Sequence, residues 1–307
     1  MPGGIVPADV ERHLRLGLQT IYDQMFLEKA KVAKWPKLCN EVPSTSDYET
    51  YGWLGSIPAV REWKGQRVIR AVEEYGFTIY NKVFELTIAV SVNTILREKY
   101  GKIKPRVVNM AVKDADHQDQ LMTDLLLNAF TTACYDGKYF FADNHESGNS
   151  GLQTNKGTAP LDADSLKEGM TAMSLIVDDQ GENMGLVANT LIVGPKLKFT
   201  ALELAKVRPR IAAGGTSLSV VAGENVLAGL LDVIVLERMG TSLNWYLADT
   251  SQGVLPLIMQ VEQKPKFDAL EGASEHAFKY DEYLYGTRSS HNAGYGVWEL
   301  MYGSLVS

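Results

Sequence analysis

Asp143, His145 and Glu146 fall within the four-residue run DNHE, where two carboxylates and an imidazole could in principle share a divalent cation. Their spacing matches neither the helical histidine pair of a zinc site nor the alternating oxygens of a calcium loop, so His145 reads as a turn residue and no metal is expected. The two cysteines, Cys39 and Cys134, lie far apart and outside any CxxC pattern. That argues for buried free thiols in a reducing compartment, not for a disulfide framework or structural zinc. His13 and His117 fall on predicted helix faces, and His276 and His291 in polar loops without a consistent carboxylate or nucleophile partner. Each reads as a satisfied or exposed imidazole. No GxSxG elbow is present, and neither the glycines at 214, 215 and 223 nor Gly194-Pro195-Lys196 form a phosphate cradle. Asp178/Asp179 and Glu73/Glu74 occupy turn-like or polar contexts that suit solvation better than acid-base work. The chain is expected to carry no catalytic, cofactor or metal site.

A different chemistry, that of adhesion, is offered by Val42 to Trp63 (VPSTSDYETYGWLGSIPAVREW). Tyr48, Tyr51, Trp53 and Trp63 stand among Gly, Pro, Ser and charged residues with no period that would bury them locally. Rigid aromatics carry much of the energy of protein interfaces, so this extended segment, with Leu54, Arg61 and Glu62, is read as a subunit contact. Arg61, Glu62, Lys64 and Arg67 against Asp47 and Glu49 suit charge pairs that set register between neighbours.

The 307 residues and 45% hydrophobic content suit a soluble globular chain of one large or two ordinary domains. No apolar run of about 18 residues and no secretory signal is read in it. A formal charge of -7 argues against general nucleic-acid binding, although Lys29, Lys31, Lys34 and Lys37 form a basic cluster that is a candidate to face DNA.

The elements that must position these residues follow from periodicity. Asp9 is placed as the cap of an amphipathic helix with Val10, Leu14, Leu18, Ile21 and Met25 on one stripe. From Gly76 the pattern alternates, and the apolar parity switches near Asn81, which predicts a bulge within a long strand. Pro105 opens a helix to about Ala133, roughly 40 Å long, whose wholly polar centre from Asp116 to Gln120 is expected at solvent or a subunit contact. Asp136-Gly137 marks a turn, and Asp143 to Thr158 a loop at a domain boundary. A mixed domain follows: a helix capped by Asp164, a strand over Gly185 to Val193, and a helix from Pro195 to Ala205. Beyond a mobile loop at Arg208 to Gly223 come strands over Val226 to Glu237, Leu243 to Leu247 and Leu255 to Val261, and a final strand pair within Tyr283 to Tyr302.

The order VPSTSDYETYGWLGSIPAVREWKG, GFTIYNKVFELTIAV, a long helix ending near LLLNAF, then CYDGKYFFADNH closely resembles the major head subunit of Mu-like tailed phages and prophages. The likeness covers about the first half; LIVGPKL and the aromatic C-terminal strands are compatible with it. The resemblance implies an α+β capsid fold of the Hong Kong 97 phage type. It divides the chain into an N-terminal arm (1–45), an extended loop (46–75), a peripheral domain with a spine helix (76–160), an axial domain (161–260) and peripheral return strands (261–307).

The implied function is non-enzymatic: a major capsid protein whose hexamers and pentamers form an icosahedral head, assembled in the bacterial cytoplasm and retained in the virion. Its expected partners are a separate scaffold, since no long helical N-terminal extension is read here, a maturation protease, a portal, a decoration protein and packaged double-stranded DNA bound without sequence specificity. No membrane contact or covalent crosslink between subunits is expected. The residues alone also admit a soluble α/β enzyme with an aromatic lid loop, or a phage component forming rings or tubes.

Overall fold

A computed structural model describes residues 8–52, 76–98, 101, 103–207, 209–211, 222–272 and 274–306. The first helix, α1 (Ala8–Ala30), buries Leu14 and Leu18 of the expected stripe; Tyr22, outside that stripe, is buried beside them while Ile21 and Met25 are half-buried, and Asp9 lies inside its first turn instead of capping it. Strands β1 (Cys39–Pro43) and β2 (Tyr48–Tyr51) follow. The predicted single strand after Gly76 divides at Asn81 into β3 (Phe77–Tyr80) and β4 (Lys82–Ser91), which pair with different partners, so the parity switch marks a change of sheet. After α2 (Val92–Glu98) comes α3 (Ile103–Asn128), at about 1.5 Å per residue roughly 40 Å long. Pro105 sits in its first turn, where backbone N–H groups have no intrahelical partner to lose. The helix stops short of Ala133 because Ala129 to Thr132 turn back: the Phe141 N–H donates to Ala129 O at 3.0 Å.

The rest of the chain runs β5 (Lys156–Gly157), α4 (Ala163–Ser174), β6 (Thr190–Val193), α5 (Lys198–Lys206), β7 (Pro209–Ile211), β8 (Ala222–Glu224), β9 (Asp232–Val235), β10 (Trp245–Ala248), β11 (Leu257–Leu270), α6 (Glu275–Tyr280), β12 (Glu282–Tyr295) and β13 (Met301–Ser304). Asp162, not Asp164, caps α4: its carboxylate accepts the N–H groups of Asp164 and Ser165, and Ser165 Oγ accepts the Asp162 N–H.

Two sheets organise these elements. One is four-stranded in the order β1-β11-β12-β4, built on the 14-residue strands β11 and β12, with α1 and α3 against it. The other is five-stranded in the order β5-β13-β10-β6-β9. The expected final strand pair is therefore split, since β12 joins the first sheet and β13 pairs with β10 in the second. Alternation in β6 and β10 serves two cores. Leu191, Val193, Trp245 and Leu247 face Leu166 and Met173 of α4 and Leu204 of α5, while Ile192, Tyr246 and Ala248 join Leu126, Phe130 and Phe141 below α3. At Gly303 a Cβ would stand 2.7 Å from the Phe141 ring, so the close approach of β13 to that core requires glycine.

Candidate functional site

Strands β2 and β3 form an antiparallel ribbon on either side of residues 53–75, with Tyr48 opposite Tyr80 and Tyr51 opposite Phe77. The two tyrosines of β2 stand three positions apart, so alternation sends them to opposite faces. Tyr48 stays 52% exposed, its ring centroid 5.5 Å from that of Tyr80. Tyr51 corrects the reading of an exposed contact residue: it is buried in its own chain with Ile79 and Ile258. Its hydroxyl donates to Gln260 Oε1 at 2.8 Å, and burial pushes the phenol up to about 12. Gln260 Nε2 in turn donates to Ile79 O (3.2 Å) and Asn81 Oδ1 (2.8 Å), and Asn81 Nδ2 donates to Ser44 Oγ and Ser46 O. The base of the segment is thus fastened to β11 by a polar network, buried at Gln260 and opening to the surface at Ser46, that the sequence signalled only through Asn81. Trp53, Leu54, Arg61, Glu62 and Trp63 lie outside the described residues.

The basic cluster is not a uniform face. Lys29, Lys31 and Lys37 are exposed, but the Lys34 ammonium pairs with the Glu237 carboxylate and donates to Val235 O at 2.5 Å. The polar centre of α3, expected at solvent or a subunit contact, is half-buried within its own chain, where it and the preceding turn fasten other segments. Asp114 accepts the Tyr22 hydroxyl at 2.7 Å, and Asp119 accepts the backbone N–H groups of Lys34 (2.9 Å) and Trp35 (2.7 Å), tying down the chain after α1. Gln118 is buried, and His117 Nδ1 lies 3.0 Å from Nε2 of His291, which belongs to β12 and not to a polar loop.

His145 is no turn residue: it is fully buried, stacked on Trp298 at 3.9 Å, while Asp143 and Glu146 are exposed. Among the described residues its donor atom meets those of Cys134 and Asp136 within 4.8 Å. Hydrogen bonds account for this cluster. Asp136 Oδ2 lies 2.5 Å from His145 Nδ1, and Oδ1 accepts the Cys134 thiol (3.1 Å) and the Lys138 N–H (2.9 Å). Two ligands on one zinc, each at about 2.0–2.3 Å, stand over roughly 3 Å apart in tetrahedral geometry, so the 2.5 Å contact is that of a hydrogen bond. Burial alone would raise the Asp136 carboxyl, but the bonds from His145, Lys138 and Cys134 hold it below the ordinary carboxylate range. Burial pushes the Cys134 thiol up, away from nucleophilic chemistry, and both cysteines are buried free thiols. The cluster ties the Asp136-Gly137 turn, with Gly137 at φ 76, to the following loop.

The model of the family described as Mu-like prophage major head subunit gpT matches residues 12–160, 154–239 and 236–306. The major capsid protein of Escherichia phage Mu is 26% identical over 269 residues, which cover 87% of this chain and 65% of that protein. The Mu-like prophage FluMu major head subunit of Haemophilus influenzae is 24% identical over the same shares. The chain therefore spans just under two thirds of the length of these curated relatives. Among solved structures, the procapsid of bacteriophage JBD30 is 27% identical with a TM-score of 0.57, covering 98% of this chain and 76% of that one. The capsid of cyanophage P-SCSP1u shares 11% identity at a TM-score of 0.57, covering 90% and 88%.

Proposed function

The chain belongs to the Mu-like prophage major head subunit family, and on that premise we propose that it is the major capsid protein of a tailed double-stranded DNA phage or prophage. Its fold is the α+β capsid fold of the Hong Kong 97 phage type. The observation that carries the proposal is the match of 98% of the chain to the JBD30 procapsid subunit at 27% identity, which spans both sheets and the long helix.

In this reading, copies of the chain tile a closed icosahedral shell as hexamers and pentamers, and the work is assembly, not catalysis. Residues 1–45 form the arm, 46–75 the extended loop, 76–160 and 261–307 the peripheral domain, and 161–260 the axial domain, to whose sheet β13 is paired. The loop lies over a neighbouring subunit, with Trp53, Trp63, Leu54, Arg61 and Glu62 in the contact and Tyr48 at its rim. The Tyr51, Gln260 and Asn81 network supports this because it makes the loop's base rigid, and a rigid base lowers the ordering cost of each contact. Weak contacts sum because each subunit touches several others. Lys29, Lys31 and Lys37 are the basic residues left to meet packaged DNA without reading its sequence. A separate scaffold, a maturation protease, a portal and a decoration protein complete the assembly, which proceeds in the host cytoplasm.

Sedimentation of the chain expressed with and without its neighbouring scaffold gene tests the proposal. Closed, fast-sedimenting shells are expected with the scaffold. A discrete small oligomer under both conditions contradicts it.

A further inference from the structure

The contact between α3 and the four-stranded sheet contains two imidazoles facing each other. His117 comes from the centre of α3, and His291 from β12 is 1% exposed. Their nitrogens stand 3.0 Å apart, and both rings pack on Phe84 of β4 at centroid distances of 4.3 and 5.0 Å. We propose that this pair is an acid-sensitive latch, which holds the centre of α3 to the sheet while both rings are neutral and releases it when they take up protons.

The argument begins with donors and acceptors. Two neutral rings satisfy the 3.0 Å contact with one N–H and one lone pair. His291 Nδ1 is buried and has no hydrogen-bond partner. Left as a bare acceptor it is tolerable; as the second N–H of an imidazolium it becomes an unpaired buried donor on a buried charge. A proton on each ring would set two N–H groups against each other.

The charged surroundings do little to relieve this. Asp114 and Asp124 of α3 attract a proton to His117 and Arg238 repels one, while the charge coupled to His291 is that of His117 itself. Asp114 already accepts the Tyr22 hydroxyl of α1. On β11, Glu262 is engaged with Ser290 Oγ, and on β4 the residue opposite His291 is the exposed Lys82. Burial lowers both imidazoles, His291 to about 4.

The sign follows from linkage. A histidine held below its unfolded value of about 6.5 takes its proton more readily once detached, so the latch is fully closed above about pH 6.5 and weakens as the pH falls toward 4.

Hydrogen exchange of the amides of residues 114–120 in the full chain, corrected for intrinsic rates at pH 7 and pH 5, reads the opening directly. The wild-type chain should open on the order of 30-fold more often at pH 5. His291→Gln should change less than about 3-fold, and His117→Gln should change less than wild type but more than His291→Gln, because burial still holds the remaining His291 imidazole down. If His291→Gln does not fold, His117→Gln, on the half-buried ring, carries the test. Equal changes in wild type and variant, or no change in wild type, overturn the proposal.

Discussion

Replacing Tyr51 with Phe deletes one oxygen from the base of the extended segment, and the structure sets what that costs. The hydroxyl is the donor to Gln260 Oε1, and Gln260 is fully buried, so in the variant that acceptor loses its partner where water cannot replace it. An orphaned buried acceptor costs about 1–3 kcal/mol, and the ring's packing against Ile79 and Ile258 is retained. The assay is thermal or urea unfolding of the unassembled subunit, where 1 kcal/mol moves the midpoint by about 2–4 °C in chains of 150–250 residues. A Tyr51→Phe, Gln260→Met cycle should show coupling above about 0.5 kcal/mol, since the two groups touch. Unfolding of Tyr51→Phe within about 0.5 kcal/mol of wild type would refute the reasoning.

Asp162→Ala removes the acceptor for two N–H groups of α4 and should cost about 1 kcal/mol in urea unfolding. Burial holds the Glu299 carboxyl up to about 7, with both oxygens bonded to the Tyr135 hydroxyl, so the folded chain keeps a proton that the unfolded chain releases near 4.5. Stability should fall by about 3 kcal/mol as the pH rises from 4.5 through 7, and Glu299→Gln should remove that slope. This trend opposes the one from His291, so each must be read as a difference between variant and wild type. Trp53→Ala should abolish shell formation while leaving the far-UV circular dichroism of the subunit unchanged; normal shell yield from that variant contradicts the loop contact.

Local pattern exposed α1, α3, α4, α5 and most strands, though not the short helices α2 and α6, because stripes such as Leu14 and Leu18, or the buried run of β6, are one-dimensional signals. What it missed depends on partners distant in the chain. Asp116 to Gln120 looks like a solvated turn until the backbone at Lys34 and Trp35 arrives to be accepted by Asp119. His145 looks like a loop residue because Trp298, its stacking partner, lies far along the sequence, and His291 shows no local partner because His117 is 174 residues away. Composition alone suggests an interface role for Tyr51, whereas the alternation of β2 turns it inward. Asn81 was legible as a break, but its bonds to Gln260 and Ser44 were not. The aromatic order that carries the family resemblance lies in the first half of the chain, and the family match extends to residue 306.

Cryo-electron microscopy of particles formed by the chain together with its scaffold protein tests the central claim most directly. The account predicts closed icosahedral shells in which density for residues 53–75 lies over an adjacent subunit and Tyr51 remains inside its own. Rings, tubes or isolated small oligomers, or shells in which that segment packs on its own subunit, would contradict it.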